Sequence, residues 1–122
     1  MVTQLACSLV GKSETIRIAP GSLAHMAYGT SEATESYHCN FGLNPAFRTR
    51  ILGGLMVATG RGADGEIRII ELGGHPFFVA TLFLPQLTSR PGAPHPLIVA
   101  YLKAALDARN RQAAAAIRPA GR

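Results

Sequence analysis

Four histidines (His25, His38, His75, His95) and two cysteines (Cys7, Cys39) are the side chains here with the chemistry to ligate a metal or attack a carbonyl. Structural zinc sites space paired ligands by two to four intervening residues, and these six never pair at that spacing. His38 and Cys39 are adjacent. On a strand, neighbours leave from opposite faces, so the two could share one ion, or act as base and nucleophile, only across a bulge. His75 and His95 each precede a proline, where the backbone is extended. All four histidines are therefore read as structural, with neither a metal nor a cofactor expected.

A second chemical pattern is "ACSLVGKS", residues 6–13, which fits a relaxed phosphate-binding loop with Ala6 in the first glycine position. That loop works only between a strand and a helix whose N-terminal amides hold the phosphates. Five residues precede it, and "ETIRIAPG" follows, an alternating strand stopped by Pro20 and Gly21. Nucleotide binding is set aside on that ground.

The elements that must position these groups alternate more than they spiral. "TQLACSLV" and "ETIRIA" read as strands, the second with Ile16 and Ile18 on one face and Arg17 on the other. "SLAHMAYG" suits a short helical turn, and "ATESYHCNFGL" reads as a third strand that carries His38 and Cys39. A short helix starts at Pro45. "GLMVATGR", "EIRIIEL" and "PFFVATLFL" supply three more strands, the first two joined through "GADG" as a hairpin. After "SRPGAPHP" a helix from about Pro96 to Arg111 presents Leu97, Ile98, Tyr101, Leu102, Ala105 and Leu106 as its packing face. From Gln112 an Ala/Arg-rich tail is helix-compatible by propensity but short of packing partners, so it is expected to fray.

The chain has 122 residues, 48% of them hydrophobic, enough for one domain over 1–111 followed by the tail 112–122. The expected fold class is α/β or α+β, a mixed sheet of five or six strands with one long C-terminal helix. No apolar run reaches the span of a bilayer, and the N-terminus lacks a signal-peptide pattern, so a cytoplasmic protein with free thiols is expected. The net charge of +5 is uneven. Up to Leu102 seven basic residues face six acids, whereas Lys103, Arg109, Arg111, Arg118 and Arg122 face only Asp107. Without interleaved aromatics that tail reads as a solvated helix end, not a nucleic-acid interface.

Residues 66–106, "EIRIIELGGHPFFVATLFLPQLTSRPGAPHPLIVAYLKAAL", resemble the end of the glutaminase domain of the CTP synthases, which reads E-I-I-E-L-x-x-H-P-F-F-V-A-T-Q-F-H-P-E, then a Ser-Arg-Pro loop, H-P-L-F and a final helix. A weaker likeness runs back through "ESYHCNFGLNP" and "GSLAHMAYG" to about Leu5. The resemblance implies a class I glutamine amidotransferase, in which a cysteine is activated by a histidine that a glutamate orients. It also implies that this chain corresponds to the second half of such a domain.

Position by position, the resemblance puts Leu84 where the base belongs and Gln86 where the orienting carboxylate belongs. Leucine takes no proton, and an amide cannot hold an imidazolium as a carboxylate does. The glutamine-binding segment R-H-R-H-R-Y-E corresponds to "SYHCNFG", leaving Tyr37, His38 and Asn40 to line any remnant pocket. No strand-to-helix elbow presents a cysteine. The first reading is thus a noncatalytic relative that acts as an interaction or regulatory piece, or a partial domain whose nucleophile half lies outside this chain. The alternative is a redirected hydrolase or transferase that uses His38 and Cys39, or His75. Since the run before Pro85 reads as core, polar groups placed at 84 and 86 are expected to cost stability. A strand starting at Thr3 would lack its neighbour, and unpaired edges seek partners. The expected partner is a second copy or another protein chain.

Overall fold

A computed structural model describes residues 2–5 and 8–117; Cys7 lies outside them. Seven strands and three helices follow the order β1 (Val2–Gln4), β2 (Ser13–Ile18), α1 (Leu23–Tyr28), β3 (Glu32–Ser36), β4 (Phe41–Leu43), α2 (Arg48–Ile51), β5 (Met56–Arg61), β6 (Ile67–Leu72), β7 (Val79–Thr81) and α3 (Pro96–Ile117). The main sheet has five strands in the order β3-β2-β5-β6-β7, and each of its pairings is antiparallel. β1 and β4 form a separate two-stranded ribbon.

Local chemistry explains most boundaries. In β2, Ile16 and Ile18 point into the core while Arg17 points out. Ser22 then caps α1, its hydroxyl accepting from the His25 N–H, and Gly29 closes the helix at a φ of 72° that a side chain would resist. The "GADG" turn brings β5 back as β6, with Gly62 N–H donating to the Glu66 carbonyl. A Cβ on Gly60 would sit 2.5 Å from the Ile69 side chain, so glycine is what lets the two strands approach there. The core gathers Ile16, Ile18, Ala24, Tyr37, Ile69, Phe83 and Leu97.

Several expectations need correcting. The third strand is interrupted: residues 37–40 connect β3 to β4, so His38 and Cys39 sit on a link and not within a strand. Residues 9 and 10 do not continue β1, and the strand from Val2 does have a neighbour in β4. The free edges of the main sheet are β3 and β7 instead. The apolar run 75–86 contributes only three residues to β7. At the other end the helix continues past Arg111 to Ile117, alanine propensity sufficing where tertiary contacts do not reach.

The face of α3 differs too. Leu97 is buried and Ile98, Val99, Ala100 and Ala104 are half-buried, where α3 lies against α1. Tyr101, Leu102 and Leu106 are exposed.

Candidate functional site

The positions that carry the amidotransferase resemblance lie at the end of β7. Thr81 Oγ1 donates to the Phe83 carbonyl at 2.7 Å, which turns the chain out of the sheet. Phe83 is fully buried against Tyr37 and His95. Leu84 and Gln86 both face solvent, on either side of Pro85, which opens one 3-10 turn through Leu87. The expectation that Leu84 fills the core is overturned, because Phe83 occupies that place and its neighbour must point the other way. The cost foreseen for polar groups at 84 and 86 goes with it.

The remnant-pocket candidates do not converge. Tyr37 is buried, and its hydroxyl donates to Glu14 Oε1 at 2.6 Å. His38 and Asn40 are exposed. Cys39 is half-buried, and its thiol donates to the Phe41 carbonyl at 2.8 Å. Backbone bonds from Leu5 to Asn40 and from Leu9 to Cys39 tie this link to the N-terminal segment. Among the described residues no cluster of three or more His, Cys, Asp or Glu side chains is placed to hold a metal. His75 is exposed, its Nδ1 accepting from the Phe77 N–H.

Ionisable groups do meet elsewhere, in three buried constellations. In the first, His95 caps α3: its carbonyl accepts from Ile98 and Val99, and its Nδ1 accepts from Leu97 N–H at 3.1 Å. An amide only donates, so the ring proton sits on Nε2 and points at Glu35 Oε1, 2.6 Å away. Tyr28 donates its hydroxyl to the same oxygen. Burial, then the hydrogen bond and charge of Glu35, hold the Tyr28 hydroxyl far above the ordinary tyrosine range.

In the second, Arg68 Nε donates to Glu14 Oε1 at 2.6 Å, and a guanidinium nitrogen reaches Asp64 Oδ2 at 3.3 Å. The guanidinium also lies over the Tyr37 ring, 5.6 Å from its centroid. Burial alone would discourage the Arg68 charge, but Glu14 and Asp64 outweigh it and hold the pKa above its ordinary value. Tyr37 is shifted upward as well, by burial first and the Glu14 bond second, with Arg68 opposing. In the third, Glu71 accepts from the Leu23 and Ala24 amides at 2.8 and 3.1 Å and from Thr59 Oγ1 at 2.7 Å, so a buried carboxylate anchors the start of α1.

Apart from Tyr37 and the histidines, these groups were absent from the sequence candidates, although a signal was there. Glu14 shares strand parity with Ile16 and Ile18, Glu35 with Ala33 and Tyr37, and Glu71 with Ile67 and Ile69. A carboxylate in step with an apolar face has to be partnered when buried. In all three constellations the carboxylates are engaged by donors from the protein itself. None of them offers a free nucleophile or base to a substrate.

No family model matches the chain. It is 40% identical over 92 residues to the CTP synthase of Rippkaea orientalis, covering 75% of this chain and 17% of that protein. With the CTP synthase of Pyrobaculum aerophilum the identity is 38% over 110 residues, or 89% of this chain and 21% of that one. The chain therefore spans about a fifth of the length of these relatives. In structure it is similar to the acivicin-bound glutaminase domain of Trypanosoma brucei CTPS, with a TM-score of 0.72 at 18% identity, over 78% of this chain and 39% of that domain's chain. Sequence and fold agree that the chain is a relative of CTP synthase, related to the C-terminal part of its class I glutamine amidotransferase domain.

Proposed function

We propose that this chain is a noncatalytic relative of the glutaminase domain, which releases no ammonia from glutamine and works by binding. The observation that carries this reading is the pair Leu84 and Gln86, residues that the resemblance to the glutaminase domain sets where that family has its base and orienting carboxylate. Neither side chain can take up a proton from a thiol. Nucleophile, base and orienter act as a unit, and loss of one member already removes on the order of 10⁴-fold of the rate in comparable triads. The histidines and carboxylates that remain buried are spent on helix caps and ion pairs. The Cys39 thiol donates to the Phe41 carbonyl.

The test is glutamate and ammonia release from glutamine, run on the wild-type chain, on Leu84→His with Gln86→Glu, and on each combined with Cys39→Ser. None is expected to turn over, since the chain carries no strand-to-helix elbow of the kind that would present a nucleophilic thiol to the rebuilt pair. Steady turnover by the wild type that vanishes in Cys39→Ser would sink the proposal and make Cys39 the nucleophile of a redirected enzyme.

A further inference from the structure

Of the three buried carboxylates, one has no basic partner. Glu14 faces the Arg68 guanidinium and Glu35 the His95 imidazole. Glu71 forms no ion pair among the described residues, and its donors are the Leu23 and Ala24 amides and the Thr59 hydroxyl. Both of its oxygens accept, as those of an ionised carboxylate do. α1 is only six residues long, and the roughly half charge at a helix start does not cancel a whole one. A buried charge without a counter-charge is costly, but this one is not sealed in. Glu71 lies in the wall of a cleft of about 420 Å³, within the range of small-ligand sites.

The rest of the cleft fits a cation with an apolar stem. Its lining holds neither lysine nor arginine, and its one histidine, His75, spends Nδ1 as an acceptor for the Phe77 N–H. Val57 stands directly across from Glu71 on β5, is 52% exposed, and gives the cleft an apolar wall. Gly21 and Gly74 border it, each with open space where a side chain would stand. A carboxylate oxygen has two lone pairs, and Glu71 Oε1 uses one of its own on the Leu23 amide. Thr59 Oγ1 spends its proton on Oε2 and keeps its lone pairs. We propose that this cleft binds an alkylammonium group, its N–H donors on Glu71 Oε1 and Thr59 Oγ1 and its stem along Val57. A bare divalent metal ion is a poorer fit, because the lining holds one carboxylate and no other anionic ligand. Free amines and the lysines of a partner protein share this chemistry.

Ammonium binding goes beyond the noncatalytic reading and is independent of it. Glutamine turnover would leave the cleft as it is, and an empty cleft would leave the loss of glutaminase activity as it is. The experiment is amide NMR of the whole ¹⁵N-labelled chain titrated with n-butylammonium. Controls are n-butanol, the same stem without charge, and tetramethylammonium, a charge without N–H donors. Saturable shifts at millimolar butylammonium are expected at Leu23, Ala24, Thr59, Gly73 and Gly74, with neither control reproducing them. Val57→Lys sets an ammonium of the chain's own across from Glu71. It should weaken butylammonium binding about tenfold or more, by effective concentration, without lowering the urea midpoint, whereas Val57→Leu should bind as the wild type does. Nα-acetyl-lysine N-methylamide separates the two sources: binding tighter than butylammonium points to a protein lysine, weaker binding to a free amine. No saturable shift, equal shifts from butanol, shifts scattered over the surface carboxylates, or full binding by Val57→Lys would each overturn the proposal.

Discussion

The turn that carries Leu84 and Gln86 and the inner face of the sheet treat polar groups in opposite ways. At the turn, Gln86 carries an amide that points into water. On the sheet, Glu14, Glu35 and Glu71 sit among isoleucines and tyrosines, each held by two or three donors. Ionisable side chains on the sheet thus hold helices to strands, whereas the turn from Leu84 to Leu87 carries none. A catalytic acid needs a partner that can change during a turnover, whereas these carboxylates have partners that keep them fixed. The difference between the two regions is one of availability, not of residue type.

The comparison is broken most directly at Glu71. Glu71→Ala strands two amides of α1 and the Thr59 hydroxyl, and a loss of about 3 to 5 kcal/mol is expected from urea unfolding. A loss under about 1 kcal/mol would show that the carboxylate is not an anchor. Next comes His95→Ala, which removes both the α3 cap and a donor to Glu35. About 2 to 3 kcal/mol should go, and His95→Asn should recover about 1 kcal/mol of it, since asparagine caps a helix but does not reach Glu35.

Alkaline pH sharpens the same contrast. Tyr28 and Tyr37 have their hydroxyls pushed above the ordinary value by burial and by Glu35 and Glu14. Folding therefore favours the protonated hydroxyls; their stabilisation is complete below about pH 10, the unfolded value, and is lost as pH rises beyond it. Urea midpoints should fall between about pH 9 and 11, with a shallower fall in Tyr28→Phe. A flat profile would mean that the hydroxyls do not matter. The smallest effect is expected at the turn. Leu84→His with Gln86→Glu alters two exposed side chains and should change stability by less than about 0.5 kcal/mol. A drop of several kcal/mol would show that the turn is part of the core after all.

Much of this architecture is legible from alternation and punctuation. The hairpin of β5 and β6 follows from "GADG" between two β-rich runs, and α1 follows from Ser22 and Gly29 at its ends. The resemblance to the amidotransferase domain rests on a run whose loop and helix the structure places in the expected order. What the sequence concealed was direction. In "ESYHCNFGL" nothing marks the break at residues 37–40, because the pattern stays strand-like while Tyr37 is drawn inward to Glu14. For α3, larger side chains suggested the packing face, but of these Leu97 is buried while Tyr101, Leu102 and Leu106 face water. The buried carboxylates were visible by parity alone, yet their partners lie far along the chain, and no local pattern announces them.

Strand register has a consequence for how the chain reaches its fold. β2 and β3 pair so that Glu14 stands directly across from Glu35, an arrangement that repels when the two strands are alone. Each charge is answered from far away, by Arg68, 54 residues on from Glu14, and by His95, 60 residues on from Glu35. The N-terminal strands are close in sequence and could have formed an early, independent nucleus. Their facing carboxylates instead tie them to β6 and to the start of α3, so local pairing is unfavourable until distant segments arrive. Folding should accordingly be slow for the chain's size and all-or-none, with β2 and β3 amides exchanging hydrogen together with those of β6 and not ahead of them.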